Sequence, residues 1–190
     1  IVFSSVVDLR DNAATEGDRG LWGGVQLNGN GLTNKCTDAQ RMPSGINPHN
    51  CHATAEGRPA SYGGNNNAEN SGTLRYVVIK HAGYEVVEGS ELNGLTLNGV
   101  GSGTTIEYVQ TYTTQDDGFE MFGGAVDLKW VVGVNVGDDT FDFSRYSQNQ
   151  LIDLREGFFL FDNGVDFDDL GVLVARRAGD RDLRPPPRRG

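Results

Sequence analysis

Positive charge is scarce in this chain. Its 190 residues hold 16 Lys and Arg against 26 Asp and Glu, a formal net charge of −10. That balance argues against nucleic-acid binding, which needs a basic footprint. Long apolar runs are missing too. No stretch approaches the roughly 20 residues of a transmembrane helix. No window of ten or more residues shows a clean period of 3.6, so helix is not the main element. Glycine pairs occur at 23–24, 63–64 and 123–124, but none belongs to a phosphate-loop or dinucleotide pattern, and they read as corners. A Gly-x-Ser-x-Gly nucleophile elbow is absent. There are only two cysteines and three histidines. His49 and His52 lack the paired spacing of a zinc site, and His81, at the end of a strand, reads as a turn residue rather than a base.

Glycine itself is plentiful, at 27 residues, and it accompanies many Asn and Thr. Such a composition favours short strands joined by many turns. The strands repeat. One type reads Leu74-Arg75-Tyr76-Val77, Ile106-Glu107-Tyr108-Val109 and Leu128-Lys129-Trp130-Val131, with offsets of 106 − 74 = 32 and 128 − 106 = 22. A second reads Leu95-Thr96-Leu97, Phe119-Glu120-Met121 and Phe141-Asp142-Phe143, with offsets of 119 − 95 = 24 and 141 − 119 = 22. The two series interleave, which predicts a solenoid of coils of about 22–24 residues, each with at least two strands. The fold class expected is all-β, a right-handed parallel β-helix; a meander β-sandwich is the alternative. Strict alternation places Leu74, Tyr76 and Val78 on one face. Most of the extra ten residues of the first offset can be a loop at 84–91, which is acidic and polar.

The β-helix domain is expected over residues 1–170, with residues 20–32 as the first regular coil and an irregular insertion at 33–72. That insertion holds Cys36 and Cys51. A bridge between them would close the loop and stabilise it by roughly 3 kcal/mol, in keeping with an oxidising, secreted or cell-surface location; two unpaired thiols are the alternative. Residues 171–190 form a basic tail with six arginines and Pro185-Pro186-Pro187. Solenoid ends expose unpaired backbone. The apolar segment Ile1 to Val7 and the tail therefore predict a homo-oligomer or end-to-end assembly, unless the first strand folds back as its own cap.

The sharpest local feature is acidic. Asp116-Asp117-Gly118 and Gly137-Asp138-Asp139 stand one coil apart (138 − 116 = 22), so their carboxylates should lie on neighbouring coils and raise each other's pKa. Asp162-Asn163-Gly164 extends the row. Three readings stay open: turn capping, a Ca²⁺ site of Asp116, Asp117, Asp138 and Asp139, or glycoside hydrolysis by an acid and a base. Trp22, Tyr62 and Tyr84 are candidates for a sugar-stacking platform, with Trp22 also readable as core.

The segments SGTLRYVVIKHAG (71–83), ELNGLTLNGVGSGTTIEYVQ (91–110), DDGFEMFGGAVDLKWV (116–131) and GDDTFDF (137–143) resemble bacterial secreted or outer-surface β-helix proteins of largely unassigned function. The resemblance spans roughly residues 20–164 and implies the fold and an extracellular role in structure, adhesion or glycan contact. A narrower likeness is to polygalacturonases, whose Asn-Thr-Asp and Gly-Asp-Asp motifs are similar to Thr114-Gln115-Asp116-Asp117 and Gly137-Asp138-Asp139. It implies Asp117, Asp138 and Asp139 as catalytic carboxylates of a polysaccharide-degrading enzyme. The Gly-His-Gly and Arg-Ile-Lys motifs of those enzymes are missing; only Arg145 and Arg155 follow in that region. Pectate lyases pair a Ca²⁺ aspartate cluster with an arginine base, a combination for which this chain has no specific motif.

Overall fold

The structure is a computed structural model that describes residues 1–33, 53–57 and 60–143 and the strand backbones at 151–153, 165–166 and 173–175. The elements in chain order are β1 (Val2–Phe3), α1 (Val6–Asp11), β2 (Val25–Asn28), β3 (Ala53–Thr54), β4 (Ser61–Tyr62), β5 (Thr73–Lys80), β6 (Glu85–Val87), β7 (Ser90–Glu91), β8 (Leu95–Asn98), β9 (Thr105–Tyr112), β10 (Phe119–Phe122), β11 (Leu128–Val134), β12 (Phe141–Asp142), β13 (Leu151–Asp153), β14 (Val165–Asp166) and β15 (Leu173–Ala175). They build two parallel sheets. Sheet A runs β1-β5-β9-β11-β13-β15 and sheet B runs β14-β12-β10-β8-β2. From β5 to β15 the chain alternates between them, one strand of each per coil, as a β-helix requires. The registers match the repeat read from sequence: Leu74 pairs with Ile106 and Ile106 with Leu128, and Leu95 with Phe119 and Phe119 with Phe141.

Sheet A bends at a row of left-handed residues. Tyr76, Tyr108 and Trp130 have φ of 54°, 54° and 53°. A single αL residue between extended neighbours turns the strand and inverts its parity. The expected grouping of Leu74, Tyr76 and Val78 is therefore wrong. Leu74 packs on the core, Tyr76 points outward, and Val77 and Ile79 are the buried residues beyond the bend. A second αL row, His81, Thr113 and Asn135, ends β5, β9 and β11. The core is made of stacked equivalents from both sheets, including Ile106 and Leu128, Leu95 and Phe119, and Val109 and Val131. Phe119 and Phe141 stack at 5.0 Å within it.

Two excursions leave the coils. The insertion contains the antiparallel hairpin β3–β4; its Ala53, Ala55 and Tyr62 pack on Phe122 of β10, so it covers the outer face of sheet B. The acidic loop at 84–91 is itself a hairpin, β6–β7. Cys36, Cys51, His49 and His52 lie outside the described residues, as do Asp162-Asn163-Gly164, Arg145, Arg155 and all six arginines of the tail. Within the span read as tail, β15 joins sheet A 22 residues after β13 (173 − 151).

The N-terminal segment is not one strand. Val2 and Phe3 pair in parallel with Val78 and Ile79 and form the edge strand of sheet A. The chain then enters α1, because Ser5 accepts from the Asp8 N–H as an N-cap and Asn12 closes the helix in the αL region. A six-residue helix needs tertiary support. Here a Lys80–Asp8 ion pair of 2.7 Å supplies it.

Candidate functional site

The site begins as a structural ladder. Asn93, Asp117 and Asp139 occupy the same place in three successive coils, two residues before the first residue of β8, β10 and β12. The Asp117 N–H donates to Asn93 Oδ1 at 3.2 Å, and the Asp139 N–H donates to Asp117 Oδ1 at 3.0 Å. The Asn93 and Asp117 side chains thus each satisfy a backbone donor of the next coil, which is the turn-capping role expected of Asx residues.

Further carboxylates converge on this ladder. In β10, Phe119 and Met121 point into the core, so Glu120 projects from the outer face, beneath the β3–β4 hairpin. Its Oε2 accepts from Asn93 Nδ2. Asp142, one coil on, is its register partner. Two sets of ligand atoms lie within 4.8 Å of one another: Asp116, Asp117 and Asp138, and Asp117, Glu120 and Asp142. Asp117 belongs to both. Glu56, from the insertion, and Glu91, from β7, add their fields.

Burial dominates the electrostatics. Asp117 and Glu120 are each only 7% exposed. Burial, reinforced by Asp116, pushes Asp117 up to about 8, although the bond from the Asp139 N–H opposes it. Burial, reinforced by Glu56 and Asp117, pushes Glu120 up to about 10. Asp116 rises to about 6 through burial, then Glu91 and Asp138. Glu56 rises to about 7 through burial, then Asp116. The like-charge repulsion expected from the one-coil spacing is present, but it ranks second to desolvation. Among the described Lys and Arg residues, Arg10 pairs with Asp11, Arg75 with Glu107 and Lys80 with Asp8, Arg19 bonds Asn135, and Lys129 stands in register with Glu107 on sheet A.

Of the four aspartates expected to bind metal, Asp116, Asp117 and Asp138 come together, while Asp139 contributes its N–H to the ladder. Glu120 and Asp142 were not singled out from sequence. Their signal was there: each is the second residue of a Phe-initiated strand, 22 residues apart, so both must share the outer row. The proposed sugar platform does not form. Tyr62 is buried against Phe122 at 6.4 Å. Trp22 packs on the core and donates to the Lys80 carbonyl at 2.6 Å. Only Tyr84 is exposed. His81 is a buried αL corner, its Nδ1 within 2.6 Å of the Asp18 carbonyl.

An all-oxygen set of clustered carboxylates fits a hard divalent cation, Ca²⁺ above all, since such ions take six to eight oxygen ligands in flexible geometry. Among the described residues no helix is long and apolar enough to cross a membrane. Neither the curated proteins nor the solved structures gave a match. The family comparison did. Residues 9–150, well over half of the chain, match the model of the pectate-lyase like beta helix domain, and the chain belongs to that family.

Proposed function

We propose that this chain is a secreted or cell-surface glycan-contact domain that holds Ca²⁺ on the outer face of sheet B and through it meets an acidic polysaccharide. One observation carries this reading. Asp117 and Glu120 are buried among further carboxylates, and burial with those neighbours pushes them up to about 8 and 10. Each must stay protonated at neutral pH or be compensated by a cation. Asp116, Asp117 and Asp138 would form the more open end of the site; Glu120 and Asp142 would close its inner end. A bound Ca²⁺ keeps free coordination positions for ligand oxygens, and a uronate carboxylate is the sugar group that suits them. Calorimetric titration with CaCl₂ at neutral pH tests the cation, with Glu120→Gln expected to weaken binding at least tenfold. Co-sedimentation with polygalacturonate should succeed in Ca²⁺ and fail in EGTA. Absence of heat with CaCl₂ would end this reading.

Degradation of the same polymer is the second reading. Carboxyl groups with unequal pKa values, about 6 for Asp116 and about 8 for Asp117, supply a base and an acid at neutral pH, the division of labour used in glycoside hydrolysis. Asp117 and Asp138 would then work with Asp116, and Asp139 would position Asp117. New reducing ends released from polygalacturonate, and lost in Asp138→Asn, would establish it.

A further inference from the structure

The outer face of sheet A carries an arrangement that the fold does not require. The αL bend is occupied on three coils by Tyr76, Tyr108 and Trp130. The left-handed region costs an L-residue roughly 1–2 kcal/mol, and bulky side chains are rare there. Elsewhere in the same molecule the left-handed positions hold His81, Thr113 and Asn135 after β5, β9 and β11, and Gly99 and Gly123 after β8 and β10. Stacking returns part of the cost. Tyr76 and Tyr108 lie at 4.7 Å and 8°, and Tyr108 and Trp130 at 4.6 Å and 7°, each contact worth about 0.5–1.5 kcal/mol. Two contacts against three strained residues do not explain the choice by stability. What sets this row apart from the other left-handed row is that its three rings stack on one another and two of them are exposed.

The rings are nearly parallel along the row. Tyr76 is 67% exposed and Tyr108 39%. Immediately before them in each strand stand Arg75, Glu107 and Lys129, in mutual register. Arg75 bonds Glu107 at 2.7 Å while remaining half exposed. This row alternates in sign, and so offers hydrogen-bond donors and an acceptor without a surplus of either charge.

We propose that the Tyr76–Tyr108–Trp130 row is a second glycan-binding site, on which pyranose rings lay their C–H faces while Arg75, Glu107 and Lys129 bond the sugar hydroxyls. A protein partner fits less well. Three rings offer about 150–250 Å² each even when fully buried, and they already cover one another. A stable protein interface needs roughly 800 Å² per partner. A lipid surface or a polyanion would want a basic surplus, and Glu107 stands at the centre of the row. The ligand class rests on the glycan-contact reading, but the site does not rest on the acidic cluster. It lies on the other sheet and needs no cation.

The test uses the whole chain in EGTA, titrated calorimetrically with hexasaccharides of β-1,4-linked xylose, β-1,4-linked glucose and galacturonate. At least one should bind, and Tyr108→Asn, which removes both stacking contacts, should weaken it at least tenfold. Tyr76→Asn should weaken it too with the Tm about unchanged, because it gives up one stacking contact and relieves one left-handed residue. The proposal is overturned if none of the three binds, if both variants bind as tightly as the wild type, or if the wild type self-associates in sedimentation and Tyr108→Asn abolishes that. Failure of the Ca²⁺-dependent polygalacturonate binding would leave these results unchanged, so the two sites are judged separately.

Discussion

Asp117 combines a capping role with a charge, and one atom separates them. Its Oδ1 accepts from the Asp139 N–H, which an asparagine oxygen does equally well; indeed Asn93 fills the same place one coil earlier. Asp117→Asn should therefore keep the ladder and remove the charge. Without Ca²⁺ at pH 8 its Tm should exceed that of the wild type, and the gain in Tm on adding Ca²⁺ should largely disappear. Asp117→Ala removes the acceptor of the part-buried Asp139 N–H and should cost about 1 kcal/mol with or without the ion. Thermal melts of both variants, with CaCl₂ and with EGTA, measure the two roles. A purely structural Asp117 would show no difference between the two buffers.

At the scale of elements, the β3–β4 hairpin decides how dry the cluster is. It is anchored by Tyr62, Ala53 and Ala55 on Phe122. Phe122→Ala should cost about 3 kcal/mol, raise deuterium exchange at residues 53–62, and let Glu120 ionise closer to its ordinary range. Unchanged exchange there would mean that the hairpin is held by other contacts. The coil period, the interleaved strand types and the acid row were legible in the sequence because they repeat, and repetition does not depend on tertiary detail. The parity of sheet A was not. Nothing in Leu74-Arg75-Tyr76-Val77 announces an αL residue, and an aromatic is the wrong type for one. Helix α1 was missed because a single turn and a half has too few residues to show a period, leaving only Ser5 and Asp8 as a capping signal. Glu56 reaches the cluster through an insertion that no repeat governs, so its part could not be read in advance.

For the whole molecule, the raised carboxylates make protons and cations interchangeable. Asp117, Glu120, Glu56 and Asp116 all have folded pKa values above the ordinary carboxylate range near 4. The folded state therefore binds protons more tightly than the unfolded chain. By linkage the stabilisation is complete below the unfolded values and is lost as pH rises towards the folded ones. The cation-free protein should be most stable on the acid side and should lose Tm steadily between about pH 4 and pH 8, with Glu120 extending the loss towards pH 10. Ca²⁺ binds only the ionised cluster, so it should add little at pH 4 and progressively more above pH 6, flattening the profile. Each proton displaced makes the apparent affinity rise with pH. Melting curves from pH 4 to pH 9 in EGTA and in excess CaCl₂ give the test. Parallel profiles would show that the ion does not occupy the cluster. A cation-free Tm rising across the same range would show that the carboxylates are not held above their usual values in solution.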